Sequence, residues 1–126
     1  AKMARELLRE QGYNEDFIER VAHCIESHSF SSGIKPETKE AKILSDADKL
    51  DAIGAIGVAR AFLYSGENGR TIEETLKHFE DKLLNLKNLI ETEYGRKIAK
   101  DRHNFLLNFY RRIRSELETL PDYQKS

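Results

Sequence analysis

The sequence predicts an all-α domain, a helical bundle of about five helices, from three observations. No window alternates apolar and polar residues with β-branched enrichment, so strand signals are nearly absent. Apolar residues instead recur at helical spacing along most of the chain. Punctuation is sparse and falls mostly between the periodic stretches: two prolines, Pro36 and Pro121, and seven glycines in 126 residues.

The first helix is expected from about Lys2 to Gln11, with Met3, Ala4, Leu7 and Leu8 on one face. Gly12 suits a left-handed stop, with Tyr13 folding back on the last turn. Asn14 then reads as an N-cap ahead of Glu15 and Asp16, where carboxylates suit the helix dipole. Ile18, Val21, Ala22 and Ile25 mark the buried side of the second helix, which should fade near Ser29. After a loop from Ser31 to Pro36, a third helix is expected from about Glu37 to Tyr64, because proline is tolerated at a helix start. Thr71 and Glu74 form a capping box. Behind them Ile72, Leu76, Phe79, Leu83, Leu86 and Ile90 alternate spacings of four and three, a coiled-coil-like seam. Past a weak break at Thr92 to Gly95, the positions Ile98, Phe105, Phe109 and Ile113 continue a stripe to about Leu117. The last two long helices are expected to pack as an antiparallel hairpin.

Length supports one domain over residues 1–126, with roughly two thirds of the unfolded surface buried. The longest apolar-rich run, Ala52 to Tyr64, is interrupted by Gly54, Gly57 and Arg60, so no membrane span is expected. The start lacks the apolar stretch of a secretory signal. Cys24 is the only cysteine and can form no internal disulfide, which fits the cytoplasm. A net charge of −1 gives no basic footprint for nucleic acid.

The chemistry-bearing stretch is Ser45-Asp46-Ala47-Asp48-Lys49-Leu50-Asp51-Ala52-Ile53-Gly54-Ala55. On a helical wheel with Leu44 at zero, Asp48 falls at about 40° and Asp51 at about −20°. Ala55, Val58, Ala59 and Phe62 lie within about 60° of that direction, while Lys42, Lys49 and Arg60 cluster near 150° and Asp46 near 200°. The wheel therefore points two carboxylates one turn apart into the core and leaves Asp46 in solvent. An ionised carboxylate is costly to bury without a cation, a metal or strong donors. A metal ion beside Asp48, or a helix cap or buried arginine pairing, would each compensate it. Gly54 and Gly57 cost about 1 kcal/mol each within a helix, which implies close approach of a neighbouring backbone. Their spacing, with no preceding strand, excludes a dinucleotide-binding turn.

These residues resemble the last signature of the HD-domain metal-dependent phosphohydrolases. The resemblance extends upstream through Ala22-His23-Cys24-Ile25-Glu26-Ser27-His28-Ser29-Phe30. Downstream it runs through His78-Phe79-Glu80-Asp81-Lys82-Leu83, then Gly95-Arg96 and Arg102-His103-Asn104-Phe105. It implies part of an HD-type helical bundle in which a His, a His-Asp pair and a final Asp hold a divalent metal ion, be it Mn, Mg, Ni or Zn. The final Asp corresponds to Asp48, and Asp51 follows in the same motif as a further catalytic candidate. The implied reaction is hydrolysis of a phosphate ester or anhydride on a small phosphorylated substrate, nucleotides included.

The chain departs from the family pattern at its histidines. His23, His28, His78 and His103 are followed by Cys24, Ser29, Phe79 and Asn104, so no His-Asp dipeptide exists. In the family those ligands precede the helix that opens this sequence, and residue 1 is Ala. The expectation is therefore the C-terminal part of a longer protein, inactive by itself. His23 and His28 stand about 140° apart on a helix and cannot share one metal. His28, on the apolar side, is a candidate substrate contact as well as a core residue. Lys82, Arg96 and Arg102 are candidates for substrate phosphates, and equally for a solvated helix face. The rival readings are a non-enzymatic helical binding or oligomerisation module, and a split arrangement in which another chain brings the His-Asp helix. An uncovered side of the central helix further implies association between copies.

Overall fold

A computed structural model describes residues 1–121 of the chain. Six α-helices and two 3₁₀ segments make up the described regular structure, with no strand among the described residues. They fall into two compact units, Ala1–Asp48 and the part from Lys49 onward.

In the first unit α1 (Lys2–Glu10) packs on α2 (Glu15–Ser27). Gly12 turns the chain at φ +85°, and the Tyr13 N–H reaches back to the Leu8 carbonyl at 3.1 Å. A left-handed residue there costs glycine no steric strain, which is why this hairpin closes so tightly. Asn14 Oδ1 accepts the Phe17 N–H at 2.8 Å and caps α2 as its sequence position predicts. Ile18 and Ala22 are fully buried, Val21 and Ile25 half-buried. α1 buries no residue; Met3 and Leu7 of its apolar face stay exposed.

Helix α3 (Lys39–Ile53) starts later than Pro36 suggested, because Thr38 Oγ1 accepts the Ala41 N–H at 3.1 Å and supplies the cap. It also ends earlier than expected. Gly54 is extended, with φ −76° and ψ 170°, and α4 (Ala55–Glu67) begins beyond it on a new axis. The single helix expected from 37 to 64 is thus two.

The second unit adds α4, α5 (Ile72–Asp81), a 3₁₀ segment over Leu83–Leu89 and α6 (Glu93–Glu118). Thr71 caps α5 by accepting the Glu74 N–H at 3.2 Å, and Thr92 caps α6 by accepting the Gly95 N–H at 3.1 Å. The expected long helix after Thr71 stops at Asp81. Lys82 leaves helical space, and the chain tightens to three residues per turn, which brings Leu83, Leu86 and Leu89 onto one side. Spacings of three satisfied the coiled-coil pattern and the 3₁₀ pattern alike, so only α6 is long. Its stripe also shifts: Ala99, His103, Leu106 and Leu117 are buried, while Phe105 is exposed.

The core of this unit gathers Leu50, Ile53, Leu76, Phe79, Leu86 and Leu106. Phe79 is fully buried, and the rings of Phe62 and Phe109 sit 5.8 and 6.0 Å from it in tilted and stacked contact. Gly57 is the close approach anticipated from the sequence: a Cβ there would lie 2.5 Å from the Ala52 carbonyl oxygen and nearer still to that of Asp51. Gly54 differs, since its neighbour is the Arg102 guanidinium, 3.3 Å from a built Cβ.

Candidate functional site

The acidic segment sits on α3 with the opposite orientation to the wheel. Asp46 and Lys49 are 3% and 6% exposed, whereas Asp48 and Asp51 face outward. Two assumptions produced the reversal. Leu44 set the zero of the wheel, yet Leu44 is exposed, and the buried side is drawn from Ala41, Ser45, Leu50 and Ile53. Val58 and Phe62 reinforced that direction only if the helix ran through Gly54, and it does not. Asp46 and Lys49 are both engaged in interactions, as buried charges must be. The inward carboxylate expected at position 48 is therefore corrected to position 46.

Asp48 projects from the same side of α3 as the exposed Leu44, one turn earlier. Among the described residues no hydrogen bond or ion pair engages its carboxylate. Asp51 accepts from Arg60 Nη1 at 2.6 Å in an exposed ion pair, a contact of small energy in solvent. Among the described residues no three His, Cys, Asp or Glu side chains converge as a metal cluster would require. The donors of this chain alone do not fit a divalent ion, because a stable site needs several ligands and Asp48 offers one carboxylate.

The remaining candidates are held by local bonds. His28 Nδ1 donates to the Ile25 carbonyl at 2.6 Å, within its own helix end. His23 Nε2 accepts the Glu37 N–H at 2.9 Å and steadies the approach to α3. Arg102 Nη1 donates to the Leu50 carbonyl at 2.6 Å, satisfying an acceptor freed where α3 ends. Arg96 donates to the Glu91 carbonyl at 3.2 Å. Lys82 lines a cleft of about 300 Å³ in the second unit, together with Arg60, Arg70 and His78. Arg60 and Arg70 were not singled out in the sequence, where isolated arginines 10 residues apart carry no motif. The His78 imidazole is held below its ordinary value by desolvation first, then by the charges of Lys82 and Arg70. His103 is buried with Nδ1 lacking a partner among the described residues, and burial lowers its pKa, helped by Lys87.

Comparison with known proteins places this geometry among relatives. A family model described as HD domain matches residues 1–53. The uncharacterized protein YpgQ of Bacillus subtilis (strain 168) is 39% identical over 114 residues, which make up 84% of this chain and 56% of that protein. The crystal structure of Bacillus subtilis YpgQ in complex with ADP is similar at TM-score 0.74 and 33% identity, over 96% of this chain and 62% of that one. The crystal structure of an HD-superfamily hydrolase from Bacillus thuringiensis is similar at TM-score 0.71 and 32% identity, over 94% of this chain and 63% of that one. This chain thus spans little more than half the length of the curated relative.

Proposed function

Since the chain belongs to the HD-domain family, we propose that it forms the C-terminal part of the catalytic domain of a metal-dependent phosphohydrolase. The observation that carries this reading is Asp48. It lies within the segment, residues 1–53, that matches the HD-domain model, and it offers an exposed carboxylate with no partner among the described residues. Hydrolases of the HD superfamily generally depend on a divalent metal. Asp48 would contribute one ligand, and the His and His-Asp ligands would come from outside these 126 residues. Held by those further ligands together with Asp48, such an ion would supply Lewis-acid stabilisation of phosphoryl charge. The chain's own part is to hold Asp48 on a rigid helix. Asp51, one turn further along α3, pairs with Arg60 in solvent.

The substrate proposed is a small phosphate ester or anhydride, with nucleotides favoured because the YpgQ relative was crystallised with ADP. The rival, a bare helical binding module, predicts that Asp48 is dispensable. The decisive measurement uses the longer protein: Asp48→Asn should lower divalent-metal binding and metal-dependent nucleotide hydrolysis by about 100-fold or more, at least what loss of an outer-shell partner costs. Circular dichroism should be unchanged because the residue is exposed. Undiminished metal binding and turnover in that variant would remove Asp48 from the site.

A further inference from the structure

The cleft between α4 and α5 concentrates positive charge in a chain whose net charge is −1. Arg60 comes from α4, Arg70 from the turn after it, His78 from α5 and Lys82 from just beyond. Against them stand Glu74, which accepts from Thr71 within the capping box, and Asp51, which neutralises Arg60, and Lys82 is itself engaged within the chain. Arg70 lies over the Tyr64 ring at 5.3 Å, a contact that fixes a guanidinium without using a carboxylate. Its planar fork thus keeps the geometry that suits a phosphate or carboxylate. Small residues, Ala52, Gly57 and Ala61, line the interior, and the volume of about 300 Å³ is at the lower end for small-ligand pockets.

We propose that this cleft is an anion site that binds the phosphate group of a small phosphorylated ligand through Arg70, His78 and Lys82. Arg70 supplies the fork, Lys82 a point charge, and His78 an imidazole proton that a bound phosphate would favour. Asp81 also faces His78 electrostatically and opposes Lys82 and Arg70 there. The inference extends the hydrolase reading by stating where phosphate is held. It fails separately from that reading, because binding here needs neither metal nor turnover.

The test is a titration of the 126-residue chain with pyrophosphate at constant ionic strength, followed by the His78 imidazole proton resonances and by calorimetry. A dissociation constant below about 1 mM is expected, with the His78 resonance moving on saturation. Arg70→Gln and Lys82→Gln should each weaken binding about tenfold or more, the usual scale for a charged hydrogen bond. Arg112→Gln, an exposed arginine on α6 paired with Glu116, should leave binding within about twofold. If Lys82→Gln proves unfolded by circular dichroism, Arg70→Gln and His78→Gln, both at exposed positions, decide the matter. Binding weaker than about 10 mM, or equal losses in the Arg70 and Arg112 variants, would overturn the assignment.

Discussion

His103 shows how one side chain can set the acid limit of the fold. Its ring is buried, its Nδ1 lacks a partner among the described residues, and burial with the Lys87 charge holds its pKa below the ordinary 6.5. The unfolded chain therefore binds this proton more readily than the folded chain. Stability is unaffected well above pH 6.5 and falls as pH drops below it, levelling once the folded-state imidazole also protonates. His78 acts in the same direction. Urea midpoints measured from about pH 8 to about pH 5 should decline for the wild type. In His103→Leu, which removes the unpaired nitrogen and its titration, the decline should shrink. A variant with the wild-type slope would show that the buried imidazole is not the sensor. Sequence placed His103 on the last helix and in a resembling motif, but nothing in its spacing disclosed that it faces inward.

At the scale of elements, the junction of α3 and α4 governs the second unit. The α3 carbonyls at its end are met by Arg102 at Leu50 and by the bare Cα of Gly57 at Asp51 and Ala52. Gly57→Ala forces a methyl into backbone that has no flexible end to yield, and should cost about 2 kcal/mol or more. Gly66→Ala, near the end of the same helix with nothing within 4 Å, should instead stabilise by about 0.5 kcal/mol. Thermal or urea unfolding of the two variants checks both signs, and equal destabilisation would contradict the close-approach account. The glycines were visible in the sequence, and close approach was their expected reason. That Gly54 would break the helix was not legible, because a glycine interrupts some helices and is carried by others according to what packs beside it. The caps at Asn14 and Thr71 were more readily placed, since the group that accepts the N–H lies within three residues of it, whereas Thr92 read only as a weak break.

For the whole chain, the distribution of apolar surface matters most. Met3 is 73% exposed and Leu7 55% exposed on α1, and on α3 Ile43 and Leu44 are exposed, Leu44 on the side that carries Asp48. Large apolar side chains left exposed favour association where they form a contiguous patch. The 126-residue chain is expected to bind an apolar dye and to form more than monomers in light scattering. A strictly monomeric, dye-negative chain would show that these residues do not form a sticky surface. No described helix is long and apolar enough to cross a membrane, so a bilayer-spanning helix does not account for them.

By itself the sequence determined the helical class, the caps at Asn14 and Thr71 and the family signature around Asp48, because each rests on residues within a few positions of one another. Periodicity of three to four residues selects helix over strand without reference to distant contacts. The orientation of α3, the 3₁₀ path through Leu83–Leu89 and the gathering of Arg60, Arg70, His78 and Lys82 were decided only by tertiary structure. A wheel shows which residues share a side, but the side that turns inward is set by which neighbours have apolar surface to offer, and those neighbours lie far along the chain.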